Sequence, residues 1–197
     1  MKMLNLEKFF VNNLQSKKRV LDLTRKLLGF TELNGKQDFL EVGCGNGVVS
    51  RYLAEEYAGE VTGIDVDPEQ IKLARKNTVG MPNIRFLETD AIKLPFEDNS
   101  FSIVLSFGVL HHIHNWLDVL KEIKRVLKPD GYFIYADIIY PERVTRMDSS
   151  SKMSFGLVTI DIDDLNSFLE KFGFTTIYSE MKNRLVCRSY EAVYRRN

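Results

Sequence analysis

The sequence contains few of the residues that indicate a disulfide-stabilised or metal-binding protein. It has only two cysteines among 197 residues, Cys44 and Cys187, which lie far apart and form no CxxC pair. This spacing predicts neither a disulfide framework nor a zinc site, and it fits a reducing compartment. We therefore expect no metal.

Long apolar runs and an excess of one charge are also absent. No apolar run is long enough to span a bilayer, and the first twenty residues lack the continuous apolar stretch of a secretion signal, so we expect a cytoplasmic protein. The 27 basic and 27 acidic residues cancel, which argues against a nucleic-acid-binding protein. Basic residues crowd the first thirty positions, where a solvated helix face and a surface for an acidic partner both stay open.

The residues that are present indicate one globular domain over 1–197 with an α/β fold. Apolar residues make up 44 % of the chain and charged residues 27 %. Short apolar segments rich in β-branched and aromatic residues predict strands at 38–43, 60–65, 84–88, 101–108 and 131–139. Helical patterns fall between them at 47–57, 68–77 and 115–128. This alternation predicts a parallel sheet covered by helices on both faces.

The flanking regions differ from this alternating core, which we place at 38–138. Residues 1–30 have the apolar spacing of one or two amphipathic helices. The connection at 139–160 is polar and serine-rich, as expected of a segment that covers a substrate site. The remainder, 161–197, predicts a helix that ends at Gly173 and a pair of closing strands.

The segment "EVGCGNG" (41–47) follows the first predicted strand and precedes a helix. Glycines 43, 45 and 47 allow a sharp turn there, and the helix N-terminus offers free N–H groups to an anion. A dinucleotide-binding loop would have its third glycine where this chain has Val48, and no Gly-Lys-Ser/Thr of a P-loop follows. Glu41 would also repel a pyrophosphate.

A ligand with a carboxylate, an ammonium group and a ribose would use every polar group near this loop. Loop N–H groups would bind the carboxylate, and Glu41 would favour the ammonium group. Asp65 ends the second predicted strand, the place where a ribose-binding acid is expected. The sequence therefore favours a nucleoside joined to an amino acid.

Four segments in this order, "LEVGCGNG", "VTGIDVDPEQIKLAR", "FLETDAIKLPFEDNSFSIVLSFGVLHHI" and "VLKEIKRVLKPDGYF", resemble the motifs of class I S-adenosylmethionine-dependent methyltransferases. They are similar to the small-molecule branch that includes the ubiquinone and menaquinone biosynthesis enzymes. The resemblance implies a Rossmann-like, doubly wound sheet of seven strands, mostly parallel, with an antiparallel C-terminal strand. It also implies methyl transfer from S-adenosylmethionine to a small molecule, with S-adenosylhomocysteine as product.

The resemblance also implies which residues bind the cofactor. The methionine part would lie against the first loop, the ribose hydroxyls on Asp65, and the adenine beside residues after the second and third strands. The end of the fourth strand would contact the ammonium and methyl groups. The expected cofactor-binding residues are Glu41, Gly43, Cys44, Gly45, Asn46, Gly47, Asp65, Val66, Asp90, Ala91, Ser106 and Phe107.

The acceptor side is marked mainly by the histidines, all of which lie in "HHIH" (111–114). His111 or His112 could act as a base or orient the substrate, a purely structural role stays open, and the spacing does not favour a metal site. Substrate contacts are expected outside the core, from Phe9, Phe10, Tyr140 and Arg143.

Two alternative functions stay open on the sequence alone. One is an NAD-dependent oxidoreductase, which Val48 and Glu41 disfavour. The other is a catalytically silent subunit that binds S-adenosylmethionine. Neither the methyl acceptor nor the oligomeric state follows from the sequence.

Overall fold

A computed structural model describes residues 14–140, 157–183 and 187–197. The helices are α1 (Leu14–Leu28), α2 (Val48–Glu56), α3 (Pro68–Asn77), α4 (Trp116–Val126) and α5 (Ile162–Lys171). The strands are β1 (Phe39–Val42), β2 (Val61–Asp65), β3 (Ile84–Glu88), β4 (Phe101–Phe107), β5 (Leu127–Ile139), β6 (Phe174–Asn183) and β7 (Arg188–Arg196). A single 3₁₀ turn, Leu110–His112, follows β4.

The seven strands form one sheet in the order β3-β2-β1-β4-β5-β7-β6. Strands β1 to β5 are parallel, whereas β7 runs antiparallel to both β5 and β6. From β1 the chain proceeds to β2 and β3 on one side and then crosses to β4 on the other. The predicted doubly wound sheet with an antiparallel C-terminal strand is confirmed, and its strand order reverses at β1, where such folds bind ligands.

The alternation of side chains along β1 divides the core between the two faces of the sheet. Leu40 and Val42 belong to a cluster with α4 and α5, whereas Phe39 belongs to a cluster with α1 and α2. Since β1 is buried on both faces, it reads as a continuous apolar run interrupted only by Glu41.

The boundary between α4 and β5 differs from the sequence prediction. The helix ends at Val126 rather than 128, and the strand begins at Leu127 rather than 131. Pro129 disfavours a helical conformation at Lys128, so the chain becomes extended before the proline. Asp130 then takes a left-handed conformation (φ 62°), and the pairing with β4 shifts register between Phe101 and Ile103.

The start of α3 is capped by Asp67. Its side chain accepts a hydrogen bond from the Glu69 N–H at 2.9 Å. The Asp67 N–H in turn donates to Asp65 Oδ1 at 2.9 Å. The helix start is thereby tied to the acid that ends β2.

One ionic cluster joins α1 to the C-terminal strands. Lys26 Nζ donates to the Tyr178 hydroxyl and to Glu180 Oε2, each at 2.6 Å, and also contacts Glu191. Phe30 stacks on the Tyr178 ring with centroids 4.0 Å apart. Lys26, one of the basic residues near the N-terminus, therefore has a structural role.

Within the described ranges, no helix combines the length and the apolar character needed to cross a membrane.

The contribution of α4 to the core can be tested with a pair of leucines in mid-helix. Leu120 of α4 is buried, whereas Leu73 of α3 is 41 % exposed. We expect Leu120→Ala to lower the free energy of unfolding by about 2 to 5 kcal/mol, because it leaves a cavity. Leu73→Ala, with the same change in helix propensity, should cost about 0.5 kcal/mol. Urea unfolding of both variants measures the difference, and equal costs would contradict the assigned packing.

Candidate functional site

The loop between β1 and α2 has a backbone that strongly favours glycine. Gly43, Gly45 and Gly47 have φ angles of 71°, 51° and 79°, all in the left-handed region. Residues with a Cβ adopt this region at a cost of about 1 kcal/mol or more. The left-handed backbone conformation of the loop is therefore the first reason for the three glycines.

The three glycines differ in what surrounds them. A Cβ on Gly43 would lie 2.3 Å from Val109 Cγ2, and one on Gly47 would lie 3.0 Å from both Ala74 Cβ and Phe86 Cζ. A Cβ on Gly45 would have only Gln70 Oε1 nearby, at 3.8 Å. Gly43 and Gly47 thus permit packing within the protein, and Gly45 is the one with open space beside it for a ligand.

Asp65 lies beside this loop, at the carboxyl end of β2. Its Oδ2 accepts a hydrogen bond from the Gly45 N–H at 2.9 Å, and its Oδ1 accepts one from Asp67. Burial raises the pKa of this carboxyl, while the two backbone hydrogen bonds act in the opposite direction. The following residue, Val66, is 46 % exposed, so a solvent-exposed apolar side chain lies next to a half-buried acid.

Glu41 is the only acidic residue of β1, and it is buried behind the loop. Its side chain accepts a hydrogen bond from the Ser50 hydroxyl of α2. Burial raises the pKa of Glu41 to about 8, and the nearby Asp65 carboxylate adds to this rise. In the absence of a cationic ligand, Glu41 is therefore mostly protonated at pH 7.

Two other loop residues are used within the fold. The Cys44 N–H donates to the Ile64 carbonyl at 2.8 Å, and its own carbonyl accepts from the Gly47 N–H at 2.9 Å. The Cys44 thiol is buried, which raises its pKa. The Asn46 carbonyl accepts a hydrogen bond from Asn77 Nδ2 at 3.0 Å. A cofactor contact from Cys44 or Asn46 stays a prediction.

The residues predicted beside the adenine and the methyl group lie at the same edge of the sheet. Asp90 is exposed after β3 and accepts a hydrogen bond from the Ile92 N–H at 3.1 Å, whereas Ala91 is buried. Ser106, at the end of β4, is fully buried, and its hydroxyl has no hydrogen-bond partner within the described ranges. Phe107 is half-buried beside it. Their roles in binding stay predictions.

The 3₁₀ turn after β4 brings the predicted histidines to this edge. The His111 ring Nδ1 contacts Oδ1 of Asp137, and the His111 backbone N–H donates to Asp137 Oδ2 at 3.3 Å. Sequence reasoning did not identify Asp137. It could have been noticed as the single acid in the apolar strand "GYFIYADII".

His112 and His114 have different surroundings. The His112 ring lies 3.9 Å from the His111 ring, and burial together with this neighbour lowers the pKa of His112 to about 4. His112 is therefore neutral near pH 7 and a poor base. His114 is exposed. The geometry favours His111 over His112 as the candidate base, because the His111 ring is held by Asp137.

The predicted acceptor side is described only in part. The Tyr140 ring centroid lies 5.5 Å from that of His111, and the Val158 N–H donates to the His111 carbonyl at 2.8 Å. Phe9, Phe10 and Arg143, together with most of the predicted cover at 139–160, lie outside the described residues. Within the described ranges no three His, Cys, Asp or Glu side chains are grouped as metal ligands.

The packing assigned to Gly43 can be separated from its backbone strain. Gly43→Ala and Gly45→Ala both force alanine into the left-handed region, but only the first places a Cβ against Val109. We expect Gly43→Ala to be the less stable variant by about 1 to 3 kcal/mol, the cost of overpacking. Adding Val109→Ala should abolish this difference, with Val109→Ala alone as reference in a double-mutant cycle followed by urea unfolding.

Burial of Glu41 predicts a pH-dependent stability. The pKa of this carboxyl is near its ordinary value of 4.5 in the unfolded chain and about 8 in the folded protein. The free energy of unfolding of the wild type should therefore fall, relative to Glu41→Gln, as the pH rises from about 4.5 to about 8. The total change should be roughly 3 to 5 kcal/mol and constant above pH 8.

Urea unfolding at several pH values measures this difference. Glu60→Gln is the matched control, because the Glu60 side chain is 61 % exposed. The control should follow the wild type at every pH. A Glu41→Gln curve that also runs parallel to the wild type would contradict the assignment of Glu41 as a buried neutral acid.

Comparison with known proteins gives a family for the core of the chain. Residues 40–135 match the model of a methyltransferase domain. A probable phthiotriol/phenolphthiotriol dimycocerosates methyltransferase 2 of Mycobacterium ulcerans is 41 % identical over 108 residues, which are 54 % of this chain and 41 % of that protein. The demethylmenaquinone methyltransferase of Staphylococcus aureus is 39 % identical over 105 residues, 52 % of this chain and 43 % of that protein. The chain thus spans about two fifths of the length of these curated relatives.

A solved structure supports the fold over nearly the whole chain. The crystal structure of a putative S-adenosylmethionine dependent methyltransferase from Listeria monocytogenes superposes with a TM-score of 0.73. The superposition covers 90 % of this chain and 97 % of that one at 18 % identity. The methyltransferase family predicted from the sequence motifs is confirmed for the core of the chain, because residues 40–135 form a methyltransferase domain.

Proposed function

We propose that this protein transfers a methyl group from S-adenosylmethionine to a small organic acceptor and releases S-adenosylhomocysteine. The observation that carries the proposal is the hydrogen bond between the Gly45 N–H and Asp65 Oδ2. It joins the open position of the glycine loop to the acid at the end of β2. Groups suited to the two halves of an amino-acid nucleoside are thereby adjacent, where the strand order reverses.

The cofactor would be bound along the carboxyl ends of β1 to β4. Asp65 accepts hydrogen bonds from the ribose hydroxyls, since its two oxygens already face N–H donors at this edge. Exposed Val66 offers an apolar surface to the adenine, and Asp90 and the Ala91 N–H, after β3, are proposed to bind the polar atoms of its ring. Glu41 lies behind the loop, where a cationic ligand would favour its ionised form.

The chain's task in such a reaction is mainly orientation. The sulfonium of the cofactor supplies the reactive methyl group. The protein has to hold the acceptor atom in line with the bond between sulfur and methyl carbon, and such orientation contributes roughly 7 to 11 kcal/mol to lowering the barrier. Ser106 and Phe107, at the end of β4, are the described residues proposed to lie beside the methyl group.

The acceptor is proposed only as a small organic molecule. The curated relatives are named for different acceptors, a demethylmenaquinone and phthiotriol dimycocerosates. Tyr140, beside His111, is a proposed acceptor contact. Phe9, Phe10 and Arg143 are proposed on the sequence alone. The division into N-terminal helices (1–30), cofactor core (38–138), substrate cover (139–160) and C-terminal unit (161–197), and a cytoplasmic location, are likewise proposals.

The two alternative functions gain no support. The family match names a methyltransferase domain rather than an NAD-dependent enzyme. No described feature favours a silent subunit over an active one.

Calorimetric titration with S-adenosylhomocysteine tests the proposal. We expect Asp65→Asn to weaken binding about 10- to 100-fold, because a hydrogen bond to a charged group contributes about 1.5 to 3 kcal/mol. Asp130→Asn is the matched control, since Asp130 is an exposed acid near the start of β5, at the opposite end of the sheet. The control should bind like the wild type.

A parallel titration with NAD distinguishes the alternatives. Wild-type protein that binds NAD but not S-adenosylhomocysteine would refute the proposed function. Binding of S-adenosylhomocysteine that is unchanged in Asp65→Asn would refute the ribose assignment alone.

A further inference from the structure

A buried ionisable pair lies at the carboxyl edge of the sheet beside the proposed methyl-transfer site. The side chain of His111 is 6 % exposed and that of Asp137 is fully buried. The two residues come from different elements, His111 from the 3₁₀ turn after β4 and Asp137 from β5. An imidazole and a carboxylate are costly to bury separately, so their pairing in a mostly apolar strand calls for an explanation.

Asp137 contacts His111 at two atoms. Its Oδ2 accepts from the His111 backbone N–H, and its Oδ1 contacts the ring Nδ1. The carboxylate is itself fixed, because Oδ1 also accepts from the Ile138 N–H at 2.8 Å. The Asp137 carboxylate, itself held by a backbone N–H, therefore contacts both the backbone and the ring of His111.

This contact determines which ring nitrogen carries the proton. An ionised carboxylate is only an acceptor, so Nδ1 has to be the protonated nitrogen of a neutral His111 ring. The lone pair then lies on Nε2. Histidines that act as bases have this arrangement, with one nitrogen fixed by a partner and the other available to the reacting group.

The ring has further neighbours that are uncharged near neutral pH. The His112 ring lies against it at 3.9 Å and the Tyr140 ring at 5.5 Å. On β5, Tyr135 lies on the same face of the strand as Asp137, and burial together with the nearby Asp137 carboxylate raises the pKa of its hydroxyl well above the usual value. Among the described neighbours, Asp137 therefore supplies the charge that faces the ring.

We infer that Asp137 is a positioning residue, which holds His111 so that Nε2 can accept the proton released by the methyl acceptor. The inference rests on the proposed methyl transfer, and it assigns an acceptor whose attacking atom carries a proton. This class excludes acceptors that attack through an atom without a proton, such as a thioether or a tertiary amine.

The electrons and the proton balance within this step. The electron pair of the acceptor atom forms the new bond to the methyl carbon, and the bond between carbon and sulfur breaks with its pair left on sulfur. The sulfonium thereby becomes the neutral thioether of S-adenosylhomocysteine. The acceptor proton passes to Nε2, and the resulting imidazolium is stabilised by Asp137 until the proton leaves to solvent.

Nitrogen NMR of the folded protein labelled at histidine reads the tautomer directly, without an acceptor. At pH 7 we expect His111 Nδ1 to carry hydrogen and Nε2 to show the shift of an unprotonated nitrogen. In Asp137→Asn the amide can donate to Nδ1 instead, and the Nε2–H tautomer should become dominant, as happens when the corresponding aspartate of a serine protease triad is changed. Asp118→Asn, an exposed acid of α4, is the control and should leave the tautomer unchanged.

Diethyl pyrocarbonate is the chemical probe of the free lone pair, with the modified histidine located by tandem mass spectrometry. We expect modification of His111 in the wild type, a rate at least tenfold lower in Asp137→Asn, and protection by saturating S-adenosylhomocysteine. An Nε2–H tautomer in the wild type, or His111 that is not modified, would overturn the inference. Both wild-type measurements decide the matter even if Asp137→Asn does not fold.

The failure of this inference is distinguishable from failure of the proposed function. S-adenosylhomocysteine that binds in calorimetry but leaves the modification of His111 unchanged would place the pair away from the methyl group and overturn its role alone. No binding of S-adenosylhomocysteine would refute the proposed function, and with it the role of the pair, whatever tautomer the NMR spectrum shows.

Discussion

The left-handed turn between β1 and α2 is the constraint on which the rest of the site depends. Because Gly43 has no side chain, Val109, after β4, can lie against the end of β1. Gly47 does the same for Ala74 of α3 and Phe86 of β3. Elements from both sides of β1 therefore meet at one turn. The edge of the sheet that binds ligands in such folds is positioned by backbone geometry before any ligand arrives.

Buried ionisable groups concentrate at this same edge. Glu41 of β1 and Asp65 at the end of β2 both lie next to the glycine loop, and burial raises the pKa of both carboxyls. Asp137 and His111 lie at the ends of the neighbouring strands. Each carboxyl has hydrogen-bond donors within the protein, which offset part of the cost of burial. Buried ionisable groups that cluster at one edge of a sheet mark that edge as the candidate functional site.

The regions outside the family match pack against each other. The matched residues end at 135, whereas Lys26 precedes them and Tyr178 and Glu191 follow them. The contact of Lys26 with these residues ties α1 to the β6 and β7 pair. This contact thus joins two parts of the chain that lie on either side of the family match in the sequence.

Much of the fold could be predicted from the sequence because its causes are local. Strand β1 is recognisable as an apolar run, and three glycines at alternate positions mark the turn after it. Asp67 and Pro68 mark the start of α3. The end of α4 was misplaced by two residues, because the helical pattern in the sequence continues to Lys128, whereas Pro129 disfavours a helical conformation there. The family followed from four motifs read together rather than from any one of them.

The sequence by itself determined the strand and helix order, the glycine loop and the acid at residue 65, since these depend on periodicity and on neighbours along the chain. Only the tertiary structure decided which glycine faces open space, because Val109 and Phe86 come from distant parts of the chain. It also decided that Asp137 is the partner of His111, 26 residues away in sequence. Pairing of parallel strands brings such residues together through the sheet, and no local pattern records which side chains will meet.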